Sequence, residues 1–248
     1  MNIELKGKTI LITGGSSGIG RASLAKLLDG GAEVIAVGRD EKHIEDSLKA
    51  APHVSFIKAD LRDESSVDYI EREVSKLTDK IYGFVHAAGV IYCEPFETFR
   101  LHELQEMLRV NVESGFRLLQ KILPLLKRGG SAVFISSIDA YFAGDAPSSG
   151  YALSKSALIG LTNALAKEFG TRGIRINTII PGLIRTPMTE DFFTNEFKER
   201  RKHFLERVPL GRAGTPEEVA NLLMFLLSDA SSYISGDSIF IDGGYHTT

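Results

Sequence analysis

Seven short apolar runs, rich in β-branched residues, punctuate the chain: Thr9-Ile10-Leu11-Ile12, Val34-Ile35-Ala36-Val37, Val54-Ser55-Phe56-Ile57, Tyr82-Gly83-Phe84-Val85, Ala132-Val133-Phe134-Ile135, Ile174-Arg175-Ile176-Asn177-Thr178-Ile179 and Ser238-Ile239-Phe240-Ile241. Their near-continuous apolar character fits strands covered on both faces, as in a parallel sheet. Stretches of helical periodicity separate them, over roughly 19–29, 41–49, 64–77, 101–127, 150–169 and 216–228. The last opens on Thr215-Pro216-Glu217-Glu218, an N-cap, a proline and an acidic first turn. Strand-helix alternation with crossovers of this length predicts an α/β chain with a doubly wound, mostly parallel seven-stranded sheet flanked by helices. No linker, repeat or low-complexity tract interrupts it, so residues 1–248 are read as one domain.

Composition narrows the partners. A hydrophobic content of 43% and a charged content of 25% are ordinary for a globular protein. A net charge of −3 offers no general attraction to nucleic acid, which needs a basic face. There is no run of about twenty apolar residues, so no membrane span is predicted. The first residues, Met1-Asn2-Ile3-Glu4-Leu5-Lys6, lack the apolar stretch of a signal peptide. The lone Cys93 cannot form an internal disulfide, which suits a reducing compartment; a cytoplasmic protein is expected. As a side chain Cys93 reads as a small apolar filler rather than an activated nucleophile.

Two motifs bring chemistry. The first strand runs straight into Thr13-Gly14-Gly15-Ser16-Ser17-Gly18-Ile19-Gly20, and a helix follows. Glycines there permit a tight turn and the close approach of a pyrophosphate, while the helix N-terminus supplies amide donors and partial positive charge. No Gly-Lys-Ser/Thr ending follows, which excludes a Walker loop and argues against a phosphotransferase. Asp60, at the end of the third strand, lies at the carboxyl edge where such sheets bind ligands, and it also reads as a helix-starting cap. The second motif is Tyr151 with Lys155. Four residues is about one helical turn, so the two side chains share a face. A phenol ordinarily keeps its proton to about pH 10, and a neighbouring ammonium lowers that value. The pair therefore reads as a proton-transfer device.

The turn and the Tyr-x-x-x-Lys pair, in this order, resemble those of the classical short-chain dehydrogenases/reductases, and within them the 3-oxoacyl-[acyl-carrier-protein] reductases. The resemblance runs from the glycine turn to Ile241-Asp242-Gly243-Gly244. It implies one Rossmann-fold domain that binds a nicotinamide dinucleotide through Gly14, Ser16, Ser17, Gly18, Ile19 and Gly20, then Asp60 and Leu61, Ala87, Ala88 and Gly89, Tyr151 and Lys155, and Pro181, Gly182, Ile184 and Thr186. No metal is implied. The family's Asn-Asn-Ala-Gly strand end here reads His86-Ala87-Ala88-Gly89; the small residues are kept, and His86 is expected to pack or hydrogen-bond at the sheet edge. Asn111 matches the family's helix-borne asparagine, whose implied role is to position a water linking Lys155 to solvent. Ser136-Ser137 occupies the place of the catalytic serine. Ser137 is preferred, although fourteen residues separate it from Tyr151 where thirteen is common, and Ser136 is the alternative.

The implied chemistry is hydride transfer between the nicotinamide and a carbonyl or secondary alcohol. Tyr151 is the proton donor and acceptor, Lys155 its tuner and ribose ligand, and Ser137 the holder of the substrate oxygen. An NAD enzyme places an acid at the end of the second strand. Here Gly38 stands there and Arg39 follows, a planar cation suited to a 2′-phosphate, so NADP is expected ahead of NAD, with the adjacent Asp40 pulling the other way. The segment 183–208 is expected to form a substrate lid. Its Met188, Phe192, Phe193 and Phe197 suit an apolar lining, and Lys198, Arg200, Arg201 and Lys202 suit a solvated helix face. Asp139, Tyr141 and Phe142 lie near the serine in the loop 138–150. A small-molecule carbonyl substrate, with a 3-oxoacyl thioester as the default, is implied, with a sugar, polyol or steroid equally compatible. A homodimer or homotetramer through the helices near 101–127 and 150–169 is implied as well. The competing reading is a redox-inactive nucleotide sensor or scaffold on the same fold.

Overall fold

The computed structural model describes residues 3–39, 51, 53–142 and 147–248. The expected helix over 41–49, Asp40 and part of the loop 138–150 lie outside the described residues. The strands are β1 (Thr9–Thr13), β2 (Glu33–Gly38), β3 (Val54–Lys58), β4 (Ile81–His86), β5 (Leu126–Ile135), β6 (Arg175–Pro181) and β7 (Ser238–Ile241). They form a seven-stranded sheet in the order β3-β2-β1-β4-β5-β6-β7. Every pairing is parallel, so the sheet is wholly rather than mostly so. The order reverses between β1 and β4, which opens the crevice where doubly wound sheets hold ligands.

Alternate residues of each strand feed opposite layers, as the pleat requires. Leu11, Ile35, Val37, Phe84 and Phe134 pack on one side with Val67, Ile70, Leu118, Ile122 and Leu158. Ile10, Ile12, Val34, Ala36, Val85 and Val133 pack on the other with Leu24, Leu27, Val219, Leu223 and Leu227. The helices that carry these residues are α1 (Gly18–Asp29), α2 (Ser66–Leu77), α4 (Ser114–Ile122), α5 (Ser149–Phe169) and α7 (Pro216–Leu227). The predicted cap of α7 forms: Thr215 accepts the Glu218 N–H at 3.4 Å and Glu218 Oε2 accepts the Thr215 N–H at 2.8 Å.

The expected long helix 101–127 is divided. It consists of α3 (Leu101–Leu108), a π turn at Arg109–Glu113, and α4, which ends at Ile122; β5 begins at Leu126, earlier than its apolar run suggested. The π turn places Asn111 in an irregular stretch, a frequent device at functional sites. The segment 183–208 folds as a 3-10 run at Pro187–Phe193 and helix α6 (Lys198–Glu206). Phe204 of α6 stacks on Tyr245 at 4.9 Å between ring centroids, which ties this segment to the C-terminal turn.

Candidate active site

β1 delivers the glycine turn to the crevice. Gly14 has φ +73°, and a Cβ built there would stand 2.8 Å from the Ala88 amide nitrogen, so only glycine lets the turn press against the end of β4. Helix α1 starts after Ser17 with no side-chain cap and no acid in its first turn. Its leading N–H groups thus remain donors, and nothing negative competes with a phosphate there. Thr186, beyond β6, lies 3.4 Å from where a side chain at Gly18 would be. The turn and the Pro181–Thr186 segment therefore face each other, and the geometry fits a pyrophosphate between them. Ile19 and Ala87 turn toward the layer of α1, Ala88 toward the opposite one, and Leu61 is buried, which leaves their backbones to line the crevice.

At the end of β2, a Cβ on residue 38 would stand 2.8 Å from Ser16 Oγ. An acidic side chain at that place is therefore sterically opposed by Ser16, while Arg39 is exposed beside it. Asp60 does not cap a helix. Its carboxylate accepts the Arg62 N–H at 3.0 Å and pairs with the Arg62 guanidinium at 3.5 Å, and α2 starts later, where Asp63 accepts the Ser65 N–H at 2.9 Å. The chain needs a turn between β3 and α2, and an Asx bond at Asp60 closes it.

Tyr151 and Lys155 lie on one buried face of α5. Lys155 Nζ donates to the Ile135 carbonyl at 2.9 Å and stands 5.5 Å from the centre of the Tyr151 ring. Burial lowers the ammonium's pKa to about 8, so it stays largely charged at neutral pH. Burial also raises the phenol's pKa; the Asp139 carboxylate and Cys93 add to the rise, and a hydrogen bond with Ser137 opposes it. The expected lowering by Lys155 is not found: the causes that act on the phenol are burial, Asp139, Ser137 and Cys93, and their balance is a rise. Ser137 thus meets the phenol, whereas Ser136 is turned away and donates to the Lys155 carbonyl at 2.8 Å. Asn111 accepts the Val90 N–H at 2.8 Å and donates to the Val90 carbonyl at 3.0 Å and to Ser154 Oγ at 2.9 Å. Gly89 leaves space beside Lys155, for a Cβ there would lie 3.3 Å from Nζ.

His86 is a staple across this site. Its Nε2 faces the carbonyls of Val110 and Asn111, both at 3.2 Å, and carbonyls only accept; Nε2 therefore carries the proton. Nδ1 then accepts from Thr13 Oγ1 at 2.9 Å, and that oxygen in turn accepts the Ala88 N–H at 3.3 Å. One neutral tautomer satisfies the whole chain. Burial and the nearby Lys155 charge lower the imidazole's pKa to about 4. The Ser154 partner of Asn111 and this link from β1 to the π turn were not legible as such; the only signal for the latter is the histidine in a strand end otherwise made of small residues.

Cys93 is exposed rather than a core filler. Its pKa is raised, by desolvation first and by Asp139 next, so the sulfur stays a thiol. Asp139 borders Ser137, whose Oγ accepts its N–H at 3.2 Å.

Comparison with known proteins shows the family to which the chain belongs. A family model described as enoyl-(acyl carrier protein) reductase matches residues 14–246. The 3-oxoacyl-[acyl-carrier-protein] reductase FabG of Aquifex aeolicus is 36% identical, covering 98% of this chain and 99% of that protein. A tropinone reductase homolog of Arabidopsis thaliana is 37% identical, covering 97% and 94%. Among solved structures, a short-chain dehydrogenase/reductase of Serratia marcescens superposes with a TM-score of 0.90 at 32% identity over 97% of this chain and 98% of that one. The Pseudomonas aeruginosa RhlG/NADP active-site complex does so with a TM-score of 0.91 at 30% identity over 99% and 98%. The chain belongs to the short-chain dehydrogenase/reductase family. It is an oxidoreductase that acts on an alcohol/carbonyl pair with a nicotinamide dinucleotide. Among the described residues, no helix is long and apolar enough to cross a membrane.

Proposed function

We propose that this protein is an NADPH-dependent reductase of a small-molecule ketone, with Tyr151 as proton donor. The observation that carries the reading is the buried pair of Tyr151 and Lys155 on one face of α5, with the ammonium 5.5 Å from the centre of the phenol ring and the half-buried Ser137 at the end of β5 beside them. Bound at the crevice, the dinucleotide supplies the hydride; the rest falls to the chain. The Ser137 hydroxyl and the Tyr151 phenol hold the carbonyl oxygen. As charge grows on that oxygen, the Tyr151 proton passes to it, and the Lys155 ammonium steadies the phenolate left behind. A phenol held protonated by burial suits a donor in the reducing direction. Asn111 fixes Val90 and Ser154 beside Lys155 and positions the water that returns a proton.

NADP is favoured over NAD because a side chain at Gly38, where an acid would be needed, would meet Ser16 Oγ, and because the exposed Arg39 beside it suits a 2′-phosphate. The reductases named for 3-oxoacyl groups among its relatives make a 3-oxoacyl thioester the first carbonyl to try. Residues 183–208 act as the lid, a homo-oligomer is the working form, and the cytoplasm is its compartment. The test is oxidation of NADPH and of NADH against a panel of ketones and 3-oxoacyl thioesters. Turnover with NADPH is expected, and Tyr151→Phe is expected to abolish it. Faster turnover with NADH would overturn the Gly38–Arg39 reading alone. An unaffected Tyr151→Phe variant would overturn the mechanism.

A further inference from the structure

Two loops at the carboxyl edge of the sheet are tied together by one carboxylate. The first follows β3 and carries Asp60, Leu61 and Arg62; the second follows β4 and carries Gly89, Val90 and Tyr92. β2 and β1 stand between those strands, so the loops are not neighbours in the sheet. Glu106, in α3, reaches both. Its Oε1 accepts from Arg62 Nε at 2.5 Å and from the Tyr92 hydroxyl at 2.8 Å. The π turn behind α3 holds each loop a second time. Arg109 donates to the Arg62 carbonyl at 3.3 Å and pairs with Glu64 at 2.9 Å, while Asn111 holds both the N–H and the carbonyl of Val90.

Each loop belongs to one end of the dinucleotide crevice. The pyrophosphate turn lies on β1 and Gly89 borders Lys155 at the reaction centre, so the adenosine half extends the other way, toward β2 and β3. There Asp60 presents a carboxylate, an acceptor that suits the exocyclic amine of adenine. Arg62 competes for that carboxylate, since its guanidinium already lies 3.5 Å from it. Glu106 holds Arg62 by the shorter bond and keeps it from closing on Asp60. Burial raises the Glu106 carboxyl, but the bonds from Arg62 and then Tyr92 outweigh it and hold it below its ordinary range, so it accepts from both as an anion. A pair as exposed as Arg62 and Glu106 contributes little to stability in water, which leaves position as its use. We propose that Glu106 is a positioning residue for the dinucleotide: through Arg62 and Tyr92 it makes the order of the loop at the reaction centre depend on the adenosine half. The inference rests on the dinucleotide site and is independent of which carbonyl is reduced.

The probes are adenosine 2′,5′-diphosphate and AMP, the adenosine halves of the two dinucleotides, added at saturation to the full-length protein. Amide hydrogen exchange is followed by mass spectrometry over residues 60–64 and 89–95. In wild type the half that binds is expected to slow exchange in both segments. In Glu106→Ala and in Tyr92→Phe it should slow exchange in 60–64 alone, because the link to the second loop is cut. Affinity for NADPH, read by fluorescence titration, should fall about fivefold in both variants, the lower end of ordinary coupling between sites. Should Glu106→Ala fail to fold, Tyr92→Phe carries the same comparison, since it removes one hydroxyl and keeps the ring. Protection of 89–95 that is equal in wild type and Tyr92→Phe would overturn the inference, and so would protection confined to 60–64 in wild type. No protection of 60–64 by either nucleotide would remove adenosine from the Asp60 loop and the inference with it. Absence of turnover on every carbonyl would overturn the reductase reading and leave this one standing, since its readout is binding.

Discussion

A histidine sealed between two strands and a helix is stable only while neutral, and His86 makes that cost measurable. Its folded-state pKa is about 4, against an ordinary value of 6.5. Between those values the unfolded chain binds the proton and the folded one does not, so stability rises with pH across that window and is lost as pH falls through it. For one such group the loss between pH 7 and pH 5 is about 2 kcal/mol. His86→Asn keeps a donor and an acceptor but cannot titrate. We expect its urea-unfolding free energy to fall by about 2 kcal/mol less than wild type over the same interval. Carboxylates such as Asp139, whose raised pKa acts in the opposite sense, are common to both proteins and cancel in the difference. Equal slopes would show that the imidazole is not held neutral by its surroundings. The residue earns its place by geometry, since one ring joins the glycine-turn strand at Thr13 to the carbonyl of Asn111.

At the scale of elements, the π turn and the helix after it carry the second half of that joint. A Cβ at Gly115 of α4 would stand 2.7 Å from His86 Cγ and Cδ2, and the ring cannot retreat because both nitrogens are bonded. Alanine in a helix interior ordinarily gains about 1 kcal/mol over glycine, whereas overpacking a filled site costs about 1–3 kcal/mol. Strain should win. Gly115→Ala is expected to lower stability in wild type and to raise it in a His86→Ala background, a sign change that thermal unfolding of the four proteins would reveal. Gly115→Ala raising stability in both backgrounds would exclude the contact. This joint also marks the limit of the sequence. Apolar runs located all seven strands because burial on both faces writes itself as continuous hydrophobicity, and the glycine turn and Tyr151–Lys155 are local spacings. The break at Arg109–Glu113 left no such trace, since a π turn keeps helical periodicity and needs no proline or glycine. Asp60 was legible as an acid at a strand end, but whether it capped a helix depended on where α2 begins. Cys93 read as filler because composition alone cannot tell a buried position from an exposed one.

At the scale of the whole molecule, the layer of α2, α4 and α5 leaves apolar side chains facing outward. Phe116 of α4 is 44% exposed and Leu153 of α5 is 52% exposed, while Leu101 at the start of α3 is 67% exposed. Single exposed apolar residues need no explanation, but three on successive helices around the catalytic segment suit a surface that a second copy covers. Burying one such side chain contributes about 1.5–3 kcal/mol, so two charges introduced there should outweigh the margin of an ordinary dimer. The wild-type protein is expected to elute with a light-scattering mass that is two or four times the 27.1 kDa of the chain. Phe116→Arg combined with Leu153→Arg should bring it to the monomer mass. Both side chains are exposed in the single chain, so the fold itself should survive the change, which a retained unfolding transition would verify. Because α5 also carries Tyr151 and Lys155, dissociation should lower kcat along with the mass. A wild-type monomer at micromolar concentration would sink the association outright. An intact oligomer in the double variant would move the interface elsewhere, to the edge at β7, where Phe240 stacks on His246 at 4.3 Å beside Tyr141 and, among the described residues, no further strand pairs.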